Sequence, residues 1–81
     1  MENTPNIRTQ TLIWHSMESQ IHWADETDYA WFSKPHIAKI KKHYTHSVGY
    51  FSVVKGRADI TFHTRDGGMY FIHDIAEFAE L

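Results

Sequence analysis

The stretch VGYFSVVKGRADITFHTRDGGMYFIH, residues 48–73, alternates apolar and polar side chains and is broken by glycine at two places. Alternation with a period of two marks half-buried strands, so this stretch predicts a three-stranded meander: Val48 to Val54, Arg57 to Thr64 and Met69 to His73. A two-residue loop at Lys55-Gly56 pairs Val53 with Ala58, Phe51 with Ile60 and Gly49 with Phe62. A second at Asp66-Gly67 pairs Thr64 with Met69 and Phe62 with Phe71. Both turns choose one inner face, made of Phe51, Val53, Ala58, Ile60, Phe62, Met69 and Phe71. The outer face then carries Tyr50, Ser52, Asp59, Thr61, His63, Tyr70 and Ile72.

Upstream lies SKPHIAKIKKHY, residues 33–44, where Ile37, Ile40 and Tyr44 recur at i, i+3 and i+7. With Ser33 as N-cap and Pro35 in the first turn, this spacing predicts the main helix, packed on the apolar sheet face. Lys39, Lys42, His43 and His46 fall on the side away from its apolar stripe. Downstream, Asp74 and Glu77 form a capping-box-like pair that predicts a short C-terminal helix from Ile75, burying Ile75, Phe78 and Ala79. The N-terminal third is less legible. Ile7 to His15 suits a strand, Met17 to Trp23 a short helix or returning strand, and Ala24 to Asp28 a loop, with Trp14, Trp23 and Trp31 buried. The predicted class is therefore α+β: a small antiparallel sheet of the meander plus one or two N-terminal strands, with one main helix packed on it and a short C-terminal helix. That element order resembles in outline the small RelE-type ribonuclease toxins. Those are basic RNA-cleaving domains, and the acidic remainder of this chain departs from their pattern, so no residue role is carried over.

With 81 residues, 42% of them hydrophobic and 15% aromatic, the chain has material for one modest core, and residues 1–81 read as a single domain. It contains no cysteine, which excludes a disulfide framework, a thiolate nucleophile and Cys-ligated metal. The polar residues Met1 to Gln10 lack the apolar run of a signal peptide, and no stretch reaches the length of a membrane span, so cytoplasmic residence is expected.

A net charge of -2 conceals segregation along the chain. Between Tyr29 and Ala58 there is no carboxylate, yet Lys34, Lys39, Lys41, Lys42, Lys55 and Arg57 lie there. All ten carboxylates fall elsewhere, against Arg8 and Arg65 alone. Such segregation steers a partner or holds the domain to itself.

Three chemistries compete for these residues. Seven histidines suggest metal, and His43 and His46 have an i, i+3 spacing, but no third ligand stands beside them, so neither a metal nor another cofactor is expected. A catalytic reading makes His63 or His73 a general base helped by Asp59, Asp74, Tyr50 or Tyr70, without any recognisable triad, nucleophile elbow or phosphate-binding loop. The basic segment, with Lys34, Lys39, Lys42, His43 and His46 among aromatics, suits nucleic acid, against which stand a pI near 6.3 and only three arginines. The reading adopted is a small non-catalytic binding or regulatory protein that contacts another protein. Small inhibitors, including those of phages and mobile elements, are a class this size fits; the alternative is a nucleic-acid-binding or RNA-cleaving domain using residues 29–58. Its candidate surfaces are the basic helix (Lys34, Lys39, Lys42, His43, His46) and the outer sheet face (Tyr50, His63, Tyr70, Ile72), through which a homodimer is also conceivable.

Overall fold

A computed structural model describes residues 12–16, 21–42 and 45–81. Its strands are β1 (His15–Ser16), β2 (Trp23–Glu26), β3 (Ala30–Ser33), β4 (His36–Ile40), β5 (Thr45–Val54), β6 (Ile60–Thr64), β7 (Met69–Phe71) and β8 (Ile75–Glu80), with a 3-10 turn at Ile72–Asp74. All pairings are antiparallel and build one curled half-barrel sheet.

β5 organises the sheet because its length accommodates two partners on one edge. β6 pairs with it from Gly49 to Val53, while the other edge takes β4 from Thr45 to Gly49 and β3 from Ser52 to Val54. β3 and β4 are thus two halves of one bent strand, interrupted at Lys34-Pro35, where proline has no N–H to donate. Ser33 repairs the gap: its Oγ accepts the Phe51 N–H at 2.8 Å and donates to the Lys34 carbonyl, which also accepts from His36 Nδ1 at 2.7 Å. Beyond this bent strand lie β2 against β3 and β8 against β4, then β1 against β8; β7 extends the opposite side from β6.

The concave face holds the core, in which Ile21, Ala38, Ile40, Phe51, Phe62, Ile75 and Phe78 are buried and Trp23, Ile60, Tyr70 and Ile72 pack against them. Phe51 is its centre, with ring centroids 4.8 Å from Phe62, 5.1 Å from Phe78 and 5.2 Å from His36. Burial of these aromatics supplies the main driving force for a chain without disulfides.

The α+β expectation is overturned, since no α-helix occurs among the described residues. Residues 33–42 form strands and a turn, not the main helix; His43 and Tyr44 lie outside the described residues. His36, Ala38 and Ile40 alternate inward with period two, a signal masked because one of them is polar and one is alanine. β5 and β8 offer hydrogen-bonding partners on both edges of β4, whereas so short a helix has marginal stability of its own. The C-terminal helix is likewise replaced by the 3-10 turn and β8, although Ile75, Phe78 and Ala79 are buried as expected. With both helices gone, the resemblance to RelE-type toxins lapses.

The meander holds with changed registers. The first loop runs from Lys55 to Asp59, so Phe51 faces Phe62 and Val53 faces Ile60; a shift by two positions preserves the predicted faces but leaves Ala58 exposed in the loop. The second is a three-residue loop with Gly67 at φ +98°, and His63 faces Met69 while Phe62 faces Tyr70. That one-residue slip turns Met69 and Phe71 outward and Tyr70 inward. At the N-terminal side, residues 7–11 and 17–20 lie outside the described residues, and His15 belongs to β1. Most of the expected acidic loop is β2, closed by a turn in which Thr27 Oγ1 accepts the N–H groups of Tyr29 and Ala30. Trp23 packs against the core, but Trp14 and Trp31 remain 37% exposed. Among the described residues no helix is long and apolar enough to cross a membrane.

Candidate functional site

The convex face of β5 and β6 brings together side chains that the core does not use. Tyr50 and His63 stand opposite each other and stack, with centroids 5.1 Å apart and an interplanar angle of 20°. Phe32, delivered by β3, lies 6.0 Å from Tyr50. Next along the face, His63 Nε2 shares hydrogen bonds with Ser52 Oγ at 2.8 Å and Thr61 Oγ1 at 3.0 Å, and the two hydroxyls are 3.2 Å apart. Val54, Met69 and Phe71 are exposed around this trio. The result is an apolar and aromatic surface in which the Ser52, Thr61 and His63 groups are already paired with one another.

Where β3 breaks from β4, the same face opens into a cleft of about 420 Å³ lined by Asp25, Phe32, Pro35, Val48, Tyr50 and Arg65. Among the described residues neither the Asp25 carboxylate nor the Arg65 guanidinium has an ion-pair partner. An apolar slot with a free charge of each sign at its margin suits an amphipathic side chain of a partner. At the far end of the adjoining hairpin the Asp66 carboxyl is lowered from its ordinary value, chiefly by the Thr64 hydroxyl and then by the Gly68 N–H.

The predicted basic surface does not survive as one surface. Lys34 sits in the β3–β4 break and Lys42 in the turn after β4, at opposite ends of that strand. Lys39 is half-buried mid-strand, flanked by His46 on β5 and Glu77 on β8. His46 is exposed and meets Trp14 at 5.5 Å, while His43 lies outside the described residues. Lys55 is ion-paired with Glu26 and rests over the Trp31 ring. Among the described residues Lys55 is thus the one cation of the basic segment held in an ion pair, while Lys39 has Glu77 as a cross-strand neighbour.

On the outer face Tyr50 and His63 are placed together as predicted. Tyr70 and Ile72 are not there: both pack against the core, and Met69 and Phe71 take their place. Phe32, Asp25 and Arg65 were missed because they arrive from β3, from β2 and from a hairpin loop, and no local pattern links them. For the catalytic alternative, Ser52 Oγ beside His63 Nε2 has the form of a hydroxyl and a base. Ser52 is only 8% exposed, however, and no carboxylate orients His63 among the described residues. A nucleophile needs an open approach and an oriented base, so this trio acts as a cross-link between β5 and β6. His73, the other candidate base, stacks on Phe71 and lies 3.9 Å from Asp74. Among the described residues no three His, Asp or Glu side chains converge as a metal-binding group.

Compared with models of known families, with curated proteins and with solved structures, the chain matches none.

Proposed function

We propose that this is a non-catalytic binding or regulatory protein that engages another protein through the convex face of its sheet, with Tyr50 and Phe32 as anchors beside the Asp25–Arg65 cleft. The observation that carries it is the exposed set Tyr50, Val54, Met69 and Phe71 around a self-satisfied Ser52–Thr61–His63 trio. Aromatic side chains and methionine are enriched in the buried centres of protein interfaces, and a polar group that already has its partner costs less to cover. The nucleic-acid alternative is weakened by the dispersal of the basic side chains, with Lys34 and Lys42 at opposite ends of β4, Lys39 half-buried beside Glu77 and Lys55 paired to Glu26. A cytoplasmic inhibitor-like role remains the class that size and absence of cysteine suit.

The test is capture from host lysate by the immobilised protein, in parallel with and without nuclease, using wild type, Tyr50→Ala and the pair Lys39→Glu with Lys42→Glu. Contact through the convex face predicts one protein retained in both arms, lost with Tyr50→Ala and kept at moderate salt by the lysine variant. Capture that disappears with nuclease or with the lysine variant, and is indifferent to Tyr50→Ala, would establish the nucleic-acid reading instead.

A further inference from the structure

The cleft on the convex face carries its two charges at opposite ends, and the strand registers show how far apart they stand. Asp25 faces Phe32 on β3, and Phe32 faces Ser52 on β5. Arg65 follows β6, where Thr64 faces Gly49, and the Arg65 N–H donates to the Val48 carbonyl at 2.9 Å. Across the sheet, the steps from β2 to β3, from β3 to β5 and from β5 to β6 each measure about 4.8 Å. Along β5, the stretch from Ser52 to Val48 adds about 13 Å. The two backbones are therefore joined by a diagonal of about 20 Å. Phe32, Pro35, Val48 and Tyr50 line the slot between them.

This separation decides what can satisfy both charges at once. They do not answer each other, since neither has an ion-pair partner among the described residues. A small zwitterion, whose opposite charges lie a few bonds apart, reaches only one end. An extended peptide reaches both: its side chains return to one face at every second residue, and positions i−2 and i+2 are about 13 Å apart. The side chains of Asp25, Arg65 and the two peptide residues span the remaining distance. The residue at position i then lies over the slot, whose aromatic and aliphatic walls suit a large apolar side chain. Such a segment crosses the strands diagonally and adds no strand to the sheet.

We propose that the cleft binds an extended segment of the protein partner in which one large apolar residue has a basic residue two positions to one side and an acidic residue two positions to the other. The cation meets Asp25 and the anion meets Arg65. This rests on the convex face being the contact surface and names what that surface accepts. Burial of the apolar side chain supplies the affinity, while exposed ion pairs contribute little each and select among segments by sign.

Blocked pentapeptides titrated into the labelled protein at low salt, followed by amide NMR shifts, test it. The probes are Lys-Thr-Phe-Thr-Glu, Glu-Thr-Phe-Thr-Glu, Lys-Thr-Phe-Thr-Lys and, as control, Lys-Thr-Ala-Thr-Glu. Wild type should favour the mixed-charge phenylalanine peptide over either single-sign peptide by about fivefold, with shifts at Phe32, Val48 and Tyr50, and should not bind the alanine control. Asp25 and Arg65 are exposed and unpaired among the described residues, so Asp25→Lys and Arg65→Glu should keep the wild-type circular dichroism. Asp25→Lys should switch the preference to the peptide with two glutamates, and Arg65→Glu to the one with two lysines. No saturable shifts at millimolar peptide, or one order of preference in all three proteins, would overturn the proposal. If lysate capture is at the same time lost with Tyr50→Ala, the convex face remains the contact surface and only the charge pattern is refuted. Capture indifferent to Tyr50→Ala refutes both.

Discussion

Phe62 and Phe71 receive the same truncation in the prediction that separates the two possible registers of the second hairpin. A two-residue loop puts both rings in the core, whereas the three-residue loop leaves Phe62 fully buried and Phe71 44% exposed. Phe62 sits 4.8 Å from Phe51 between strands that cannot close around a void, so Phe62→Ala should cost ~3–5 kcal/mol. Phe71 hides about half its surface, and full burial of such a side chain is worth ~1.5–3 kcal/mol, so Phe71→Ala should cost about 1 kcal/mol, with water filling the space left. Against a total stability of ~4–12 kcal/mol, from ~0.05–0.15 kcal/mol per residue, the first variant is close to unfolding and the second is not. Urea melts followed by circular dichroism and tryptophan fluorescence measure both. Equal losses, or a larger loss at Phe71, would mean that the hairpin register is wrong and that Tyr70 faces out.

Other consequences follow from the same contacts. Gly49→Ala should destabilise by at least the ~1–3 kcal/mol of overpacking, because an added Cβ would lie 2.0 Å from the His63 carbonyl oxygen; an unchanged urea midpoint would show that β5 and β6 can separate there. The Asp66 carboxyl, held low by Thr64, should titrate below the usual aspartate range by NMR. Because its folded value is depressed, its contribution to stability is present above the unfolded value and is lost as pH falls through the folded one. Asp66→Asn should accordingly be less stable at neutral pH and converge with wild type in acid, and a constant difference across that range would refute the linkage. EDTA should leave the thermal melt unchanged, and a loss of stability restored by zinc would reveal a metal site that the described residues do not form.

The helices that the spacing predicts are strands for a physical reason that can be read at β8. Ile75 faces Ile40 and Glu77 faces Lys39, so Ala76 is an extra residue on its strand. A bulge of this kind returns Ile75 and Phe78, three residues apart, to the same face and so reproduces the spacing of a helix. In residues 33–40 the inward positions are His36, Ala38 and Ile40, which no hydrophobicity pattern distinguishes from a helix stripe through Ile37 and Ile40. The candidate site was legible only where both residues lie in one hairpin, as Tyr50 and His63 do.

What the sequence determined by itself is local: an alternating meander with glycine turns, the burial of Phe51, Ile60 and Phe62 on one face, and the absence of any cysteine-based constraint. Turn chemistry and side-chain alternation act over a few residues and need no distant partner. Only the tertiary structure decided that residues 33–40 are a broken central strand, that Tyr70 and Phe71 exchange faces, and that Lys55 is ion-paired. Each of these depends on a neighbour far along the chain: β8 completing the edge of β4, Ser33 serving the Phe51 N–H, and Glu26 meeting Lys55. A short segment with mixed periodicity takes the hydrogen-bonding partner that the rest of the fold presents to it, and that partner is not written in its own residues.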